Sequence, residues 1–365
     1  MKFSILSSLV LAAFATAAPA TLDVVEKGIV KRAAVSDPAN IGYATQNGGC
    51  VVSSLSLSLS LFAPNESLGQ GGGGSCWYTD DGARTTGGAG GTTTTVTTLA
   101  QLVAAAGAAG RGIVIIQGAI SGAAKVQVTS DKTIVGRAGS SLTGIGLTVL
   151  GQRNVILRNL KISKVLADYG DAITIQLSTN VWVDHCDLAG DREVGKDTYD
   201  GLVDLSHAAD FVTISHTYFH DHSKGSLVGH SDNNAAEDTG TLRVTYANNY
   251  FYNIRSRGPL LRFGTAHVYN QYYNTMDTGL NTRMNAQALI QSSVFRNVGK
   301  KAIFSESSSQ IGYAVAIDVV LEGESANTAS RGTLSASSFP YQYTLLGSAS
   351  VPTRVPAEAG QILSF

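Results

Sequence analysis

Cysteine is scarce, charge is balanced and long apolar runs are missing, and each shortage narrows what this chain can be. Three cysteines in 365 residues, Cys50, Cys76 and Cys186, cannot build a disulfide scaffold, so a packed core must hold the fold. In an oxidising compartment Cys50 and Cys76 can bridge, leaving Cys186 as a small buried hydrophobe. No apolar run reaches the about 20 residues that a bilayer span requires, which excludes a membrane anchor. Lys and Arg number 26 against 27 Asp and Glu. That balance lacks the basic field of a nucleic-acid partner. A charged polymer would have to be caught by local groups, because the chain has no long-range pull on it.

The N-terminus has the pattern of a secretory signal over residues 1–18. Lys2 precedes an apolar run from Phe3 to Phe14, and small residues follow at Ala15-Thr16-Ala17-Ala18. Lys31-Arg32 then reads as a dibasic processing site closing a propeptide over 19–32, and the mature, secreted chain would start at Ala33. Without its leader the chain is slightly acidic, and its length suits one large domain over 33–365.

Residues 50–84 break the style of that domain. Ser53 to Leu61 alternates Ser and Leu, and Gly71-Gly72-Gly73-Gly74 follows. The flanks Gln46-Asn47-Gly48-Gly49 and Thr85-Thr86-Gly87-Gly88 would join smoothly without it. An insertion or translated intron is expected here, with a surface loop or edge strand as the alternative, since Ser-Leu alternation is also a strand pattern. The sequon Asn65-Glu66-Ser67 falls inside this stretch.

From about Lys132 one theme repeats. Short β-branched runs end in a polar residue and turn, as in Asn154 to Leu160, Asn180 to Cys186 and Phe211 to Thr217. The polar markers Asn159, His185, His216, Asn248, Asn270 and Ser292 recur every 22 to 32 residues. That period suits one turn of a solenoid. The hairpins of a β-sandwich would bring turn signals about every 8–12 residues. The expected fold is all-β, a right-handed single-stranded parallel β-helix, with stacked Asn and His side chains forming hydrogen-bonded ladders. The Ala-rich stretch Leu99 to Gly107 is the expected N-terminal capping helix.

Two kinds of charge stand out against this frame. Asp171 opens one turn of the coil, and Asp200 and Asp204 sit on the next. Spacing of four in an extended chain puts the last two on one face. Three converging carboxylates would repel one another unless a cation sat among them, and hard oxygen ligands suit Ca²⁺. The cations are Lys224, in Asp221-His222-Ser223-Lys224-Gly225, and Arg257 and Arg262, on either side of Gly258-Pro259. An Arg fork grips a carboxylate bidentately, whereas Lys acts as a point charge. Cations for a polyanion beside carboxylates for a metal describe a site for an acidic substrate.

These motifs resemble the secreted fungal-type pectate lyases of the parallel β-helix family, from about Thr85 to the C-terminal region. Matches extend to Val181-Trp182-Val183-Asp184-His185, to Gly225 through Asp232, and to Arg262 through Tyr273. The resemblance implies calcium-dependent eliminative cleavage of polygalacturonate outside the cell by a monomer. It implies that Asp171, Asp200 and Asp204 bind Ca²⁺, with Asp168 and Asp197 as candidate auxiliaries. Lys224, Arg262 and Arg283 would bind substrate, and Arg257 would remove the proton at C5 of a uronate ring, giving a 4,5-unsaturated end. Arginine is normally always protonated. The base role therefore requires Lys224, Arg262 and Ca²⁺ to favour its neutral form, and alkaline conditions. Gln291 departs from the acid that relatives often carry, a difference of packing more than of chemistry.

Other readings fit less well. A pectin lyase carries a cation where these acids stand and lines its cleft with aromatics. A polygalacturonase needs paired acid and base carboxylates. Of its motifs only Gly229-His230-Ser231 is hinted at. A non-enzymatic scaffold would not need these cations and acids together. His220-Asp221-His222 lacks a third zinc ligand at metal spacing and is assigned to the groove or to stacking. Asp184 and His185 are read as a buried structural pair.

Overall fold

The computed structural model describes residues 33–46 and 84–365. The expected signal peptide and propeptide, Cys50, Cys76, the Asn65 sequon and the suspect stretch up to residue 83 lie outside the described residues.

Among the described residues the strand-to-strand ladders are parallel and wind into a coil whose turns stack as three sheets. The first runs through Lys132–Gly136, Arg153–Arg158, Thr179–Asp184, Asp210–Ser215, Arg243–Ala247 and Thr265–Tyr269. The second runs through Lys161–Ser163, Asp187–Ala189, Tyr218–Lys224, Tyr250–Ser256 and Tyr272–Arg283. The third is built from Ile173–Gln176, Val203–Ser206, Ser226–Val228 and Leu260–Arg262. This is the parallel β-helix that the repeat predicts.

The polar markers are the corners of that coil. Asn159, His185, His216, Asn248, Asn270 and Ser292 have φ between 45° and 57°. Each is a single left-handed residue that swings the chain from the first sheet into the second. Asn and His tolerate that conformation better than most side chains, which is why they recur there. Backbone bonds continue across the bend: Asn159 N donates to Asp184 O at 2.8 Å, His185 N to Ser215 O at 3.1 Å and His216 N to Ala247 O at 3.0 Å. The side chains stack as expected. The rings of His185 and His216 lie 4.5 Å apart, His216 Nε2 meets Asn248 Nδ2 at 3.1 Å, and Asn270 Nδ2 donates to Asn248 Oδ1 at 2.8 Å.

Inside the coil, like stacks on like. Leu142, Ile162, Leu188, Phe219, Phe251, Tyr273 and Phe295 occupy one register column of the second sheet. All seven are buried to 1 % exposure or less. Their rings are offset-stacked, with Phe219 to Phe251 at 4.4 Å and Tyr273 to Phe295 at 4.2 Å.

The ends and outer faces are covered. The helix Leu99–Gly107 forms where expected, with Thr98 capping it through Gln101 N, and it buries Leu102 and Ala106 against the first turns. The C-terminal segment straps the outside. Phe339 and Tyr341 pack with Tyr43 over the first sheet, and Val351 and Val355 of the helix Val351–Glu358 cover Tyr272 and Val294. The flanks of the suspect stretch meet, because Thr85 N donates to Ala44 O at 2.8 Å.

Replacing Phe251 by Ala removes the middle of the ring column. It should lower stability by about 3–5 kcal/mol, a melting shift on the order of 10 °C in a scan. An unchanged melting curve would mean that the column does not act as core.

Candidate functional site

The predicted acids and cations gather along the third sheet and its junction with the second. Asp171 stands two residues before Ile173–Gln176. Asp204 lies inside Val203–Ser206, in register with Thr174 on one side and Leu227 on the other. Lys224 ends the strand Tyr218–Lys224 and is in register with Ser256, next to Arg257. Arg262 and Arg283 are register partners. Residues up to 112 positions apart in sequence thus gather because successive turns bring the third-sheet strands and their flanks into register.

Asp200 reaches this face by a different route from the one its spacing suggests. The strand begins at Val203, so Asp200, Gly201 and Leu202 are irregular and strand alternation does not set their faces. Gly201 makes the arrangement fit. A Cβ there would lie 2.3 Å from Asp204 Oδ1, and its N–H donates to Asp171 Oδ1 at 2.8 Å. Gly225 does the same for Arg257: a Cβ on Gly225 would lie 2.3 Å from Arg257 O. Arg257 itself sits at φ 65°. Ser226 N donates to its carbonyl at 2.8 Å, which fixes the turn that carries the guanidinium.

The acids are in electrostatic conflict. Asp171 is 7 % exposed, and burial followed by the charge of Asp200 pushes its carboxyl up, against a hydrogen bond from Thr174. Asp204 is pushed well above the usual carboxylate range by burial first, then by Asp171, with Asp200 adding to it and Arg257 opposing. Acids that raise one another while buried form a donor set that a hard cation would relieve. Lys224 Nζ lies 3.2 Å from Asp200 Oδ1 and 3.1 Å from Asp197 Oδ1, and Arg257 Nη1 lies 3.3 Å from Asp204 Oδ2. Asp168 belongs to the 3-10 turn Ala167–Tyr169.

Among the described residues, the one trio with ligand atoms all within 4.8 Å of each other is Asp184, His185 and His216. Its carboxylate is already satisfied. Asp184 Oδ2 accepts from Arg158 Nε at 2.9 Å and faces His185 Nδ1 at 2.8 Å, while Oδ1 accepts from Ser215 Oγ at 2.7 Å. With a guanidinium bonded to its one acid, this trio is a structural knot of the corner ladder. His220 and His222 diverge. His220 bridges Asp187 and Asp221 at 3.0 and 2.8 Å and stacks on Tyr218. His222 is buried, and its Nδ1 accepts from Lys224 N at 2.9 Å. Burial and then the nearby Lys224 charge lower it to about 4, so it stays neutral beside the cations.

A cleft of about 250 Å³ opens beside Arg257 and Arg283, walled by Leu260, Lys301, Phe304 and Glu306. Arg283 Nε is buried without a hydrogen-bond partner. Burial, then the charges of Arg262 and Arg257, lower its pKa. A buried donor left free in a cationic cleft is the mark of a site shaped for an anion. Arg262 is anchored instead, through Asp232 at 2.6 Å and Gly229 O at 2.9 Å. Asp232, Lys301 and Glu306 carry no role in the sequence reading.

Comparison with known proteins gives this geometry its context. A family model described as pectate lyase matches residues 21–362. Pectate lyase plyB of Emericella nidulans is 59 % identical over 252 residues, 68 % of this chain and 77 % of that protein. Pectate lyase B of Colletotrichum gloeosporioides is 58 % identical over 257 residues, 70 % of this chain and 76 % of the other. Among solved structures, pectate lyase Bsp165PelA from Bacillus sp. N165, in complex with trigalacturonate, aligns with a TM-score of 0.69 and 27 % identity. That alignment covers 76 % of this chain and 95 % of the other.

The conflict among the acids has a measurable sign. An acid whose folded pKa is raised favours the fold while protonated and opposes it as pH rises through that value. With chelator present, Asp204→Asn should therefore melt on the order of 2 °C or more above the parent at about pH 8, equivalent to about 1 kcal/mol, and level with it at about pH 4. A variant less stable at the higher pH would mean that the Arg257 pair outweighs the burial of charge.

Proposed function

The chain belongs to the pectate lyase family, and from that premise we propose that it cleaves polygalacturonate by calcium-dependent β-elimination. The observation that carries this reading is the shared face of Lys224, Arg257, Arg262 and Arg283 beside the buried Asp171 and half-buried Asp204, which repel each other. A polymer of uronates supplies what that face lacks, a regular row of carboxylates. The trigalacturonate held by the Bacillus enzyme supports the substrate class.

The chemistry follows from the residues in place. Asp171, Asp200 and Asp204 would hold Ca²⁺, and their hard oxygens and crowded charge suit it. Bound there, the ion would draw charge from a uronate carboxylate and so acidify the adjacent C5 proton. Arg262 and Arg283 offer guanidinium edges to carboxylates, and Lys224 offers a point charge. Arg257 takes the C5 proton. The electron pair left behind forms the C4–C5 double bond, the C4–O bond breaks, and the leaving oxygen ends protonated. No water enters. In the structure Asp204 lies against Arg257 and occupies its guanidinium. The base role calls for that carboxylate to be engaged elsewhere, which metal ligation would do.

The same proposal extends to the setting of the enzyme. A secreted monomer acting on plant cell walls, released after Lys31-Arg32, fits the leader pattern. Residues 50–84 are assigned as an insertion in the domain 33–365, supported by the direct bond between Ala44 and Thr85 at its two sides.

Polygalacturonate should gain ultraviolet absorbance when treated with the mature protein and calcium at alkaline pH, and chelator should stop the rise. Arg257→Lys should lower the rate by at least about 100-fold with little change in KM. Activity undiminished by chelator would contradict the metal requirement. Lys224 shares Asp200 with the metal, so Lys224→Met should tighten calcium binding about threefold in calorimetry without substrate. Weaker binding in that variant would mean that Lys224 helps to build the metal site.

A further inference from the structure

Resting on this lyase reading, we propose that Asp232 is a positioning residue for the reaction, holding Arg262 with its terminal edge toward the substrate and tying the loop after the cleft-lining Glu306 and Ser307 to the same point. Asp232 ends the segment Gly229-His230-Ser231-Asp232, one turn of the coil before Arg262. Its Oδ1 accepts from Arg262 Nε at 2.6 Å, and Arg262 Nη1 donates to Gly229 O at 2.9 Å. A guanidinium grips a carboxylate with two parallel N–H groups. With Nε and one Nη1 hydrogen taken, the pair left is on the Nη1–Nη2 side. Among the described residues Arg262 Nη2 has no hydrogen-bond partner. Asp232 therefore chooses which edge a uronate meets, and removes the rotation that a long side chain would otherwise retain.

The other oxygen of Asp232 faces a different part of the chain. Oδ2 accepts from Ser308 Oγ at 2.5 Å and from Ser309 N at 3.2 Å. Those residues follow Glu306 and Ser307, which line the cleft with Arg257 and Arg283. Asn281 secures the near end of the same loop, accepting from Glu306 N at 3.2 Å. One carboxylate thus sets Arg262 and the backbone of the loop that continues from the cleft-lining Glu306 and Ser307. Burial pushes the Asp232 carboxyl up, but hydrogen bonds from Ser308, Arg262 and Ser309 hold it down at about 2, so it stays ionised wherever the enzyme works. The Arg262 side chain is 12 % exposed and Asp232 27 %, which shields their pair from the screening that weakens open surface pairs.

The test is a double-mutant cycle on full-length protein, with kcat, KM and melting temperature read for Asp232→Asn, Arg262→Lys, the pair, and Ser308→Ala. Asp232→Asn should lower kcat about tenfold in the parent and less than twofold in the Arg262→Lys background, with a melting temperature close to the parent's. Ser308→Ala leaves Arg262 anchored and should move KM more than kcat. Equal kcat losses in both backgrounds would overturn the proposal, because Asp232 would then act independently of Arg262. A loss explained wholly by a lower melting temperature would reduce Asp232 to a structural pair and overturn it also. A parent chain inactive on polygalacturonate would remove the lyase reading and this inference together, whereas an active parent with a fully active Asp232→Asn would remove this inference alone.

Discussion

A single left-handed residue at one corner of each turn is the constraint on which the rest of the molecule depends. Asn159, His185, His216, Asn248 and Asn270 all take that conformation, and each donates its backbone N–H to the turn above. The bend fixes where the first sheet ends and the second begins, so register is set afresh on every turn. Side-chain direction alternates along a strand, and a slip of one residue would exchange inside for outside. The corner forbids that slip. It is why Phe219 lies over Phe251, and why Asp204 lies over Thr174 and under Leu227 two corners further on.

The third sheet turns this regularity into a chemical surface. Its strands are only three or four residues long, so charged residues that flank them come close from successive turns. Arg262 stands in register with Arg283, and Asp204 lies near Asp171 and Arg257. Lys224, Arg257 and Arg262 each rest against a carboxylate, yet not in equivalent ways. Asp200 and Asp204 are the groups assigned to a metal, so Lys224 and Arg257 share their partners with it. Asp232 stands apart and can keep Arg262 fixed throughout. On the proposed metal assignment two cations would be exchangeable and one permanent, which would separate binding the metal from orienting the substrate.

Much of this was legible in the sequence because the corners have a chemical signature. Asn and His are enriched where φ is positive, and their recurrence marks the turns directly. The capping helix was legible through its Ala-rich run, and the structure adds the Thr98 cap. The C-terminal strap was not. Phe339, Tyr341 and Tyr343 follow no solenoid period, because they pack on the outer face and do not form a turn of their own. At the site, the residue types were readable from their motifs, but their routes were not. Asp200 and Asp204 come together through the room left at Gly201, a tertiary contact that spacing along an extended strand does not describe. Asp232 closes its motif with no role legible in the sequence, since its partners Arg262 and Ser308 lie 30 and 76 residues away.

Elimination as against hydrolysis is the central claim, and the mass of the new non-reducing end decides it. Digesting polygalacturonate and weighing the fragments would show it. The account predicts new non-reducing ends lighter by one water than those of a hydrolytic product. New non-reducing ends that carry the full mass of a hydrolytic product would mean that water attacks the bond, and would contradict the role assigned to Arg257.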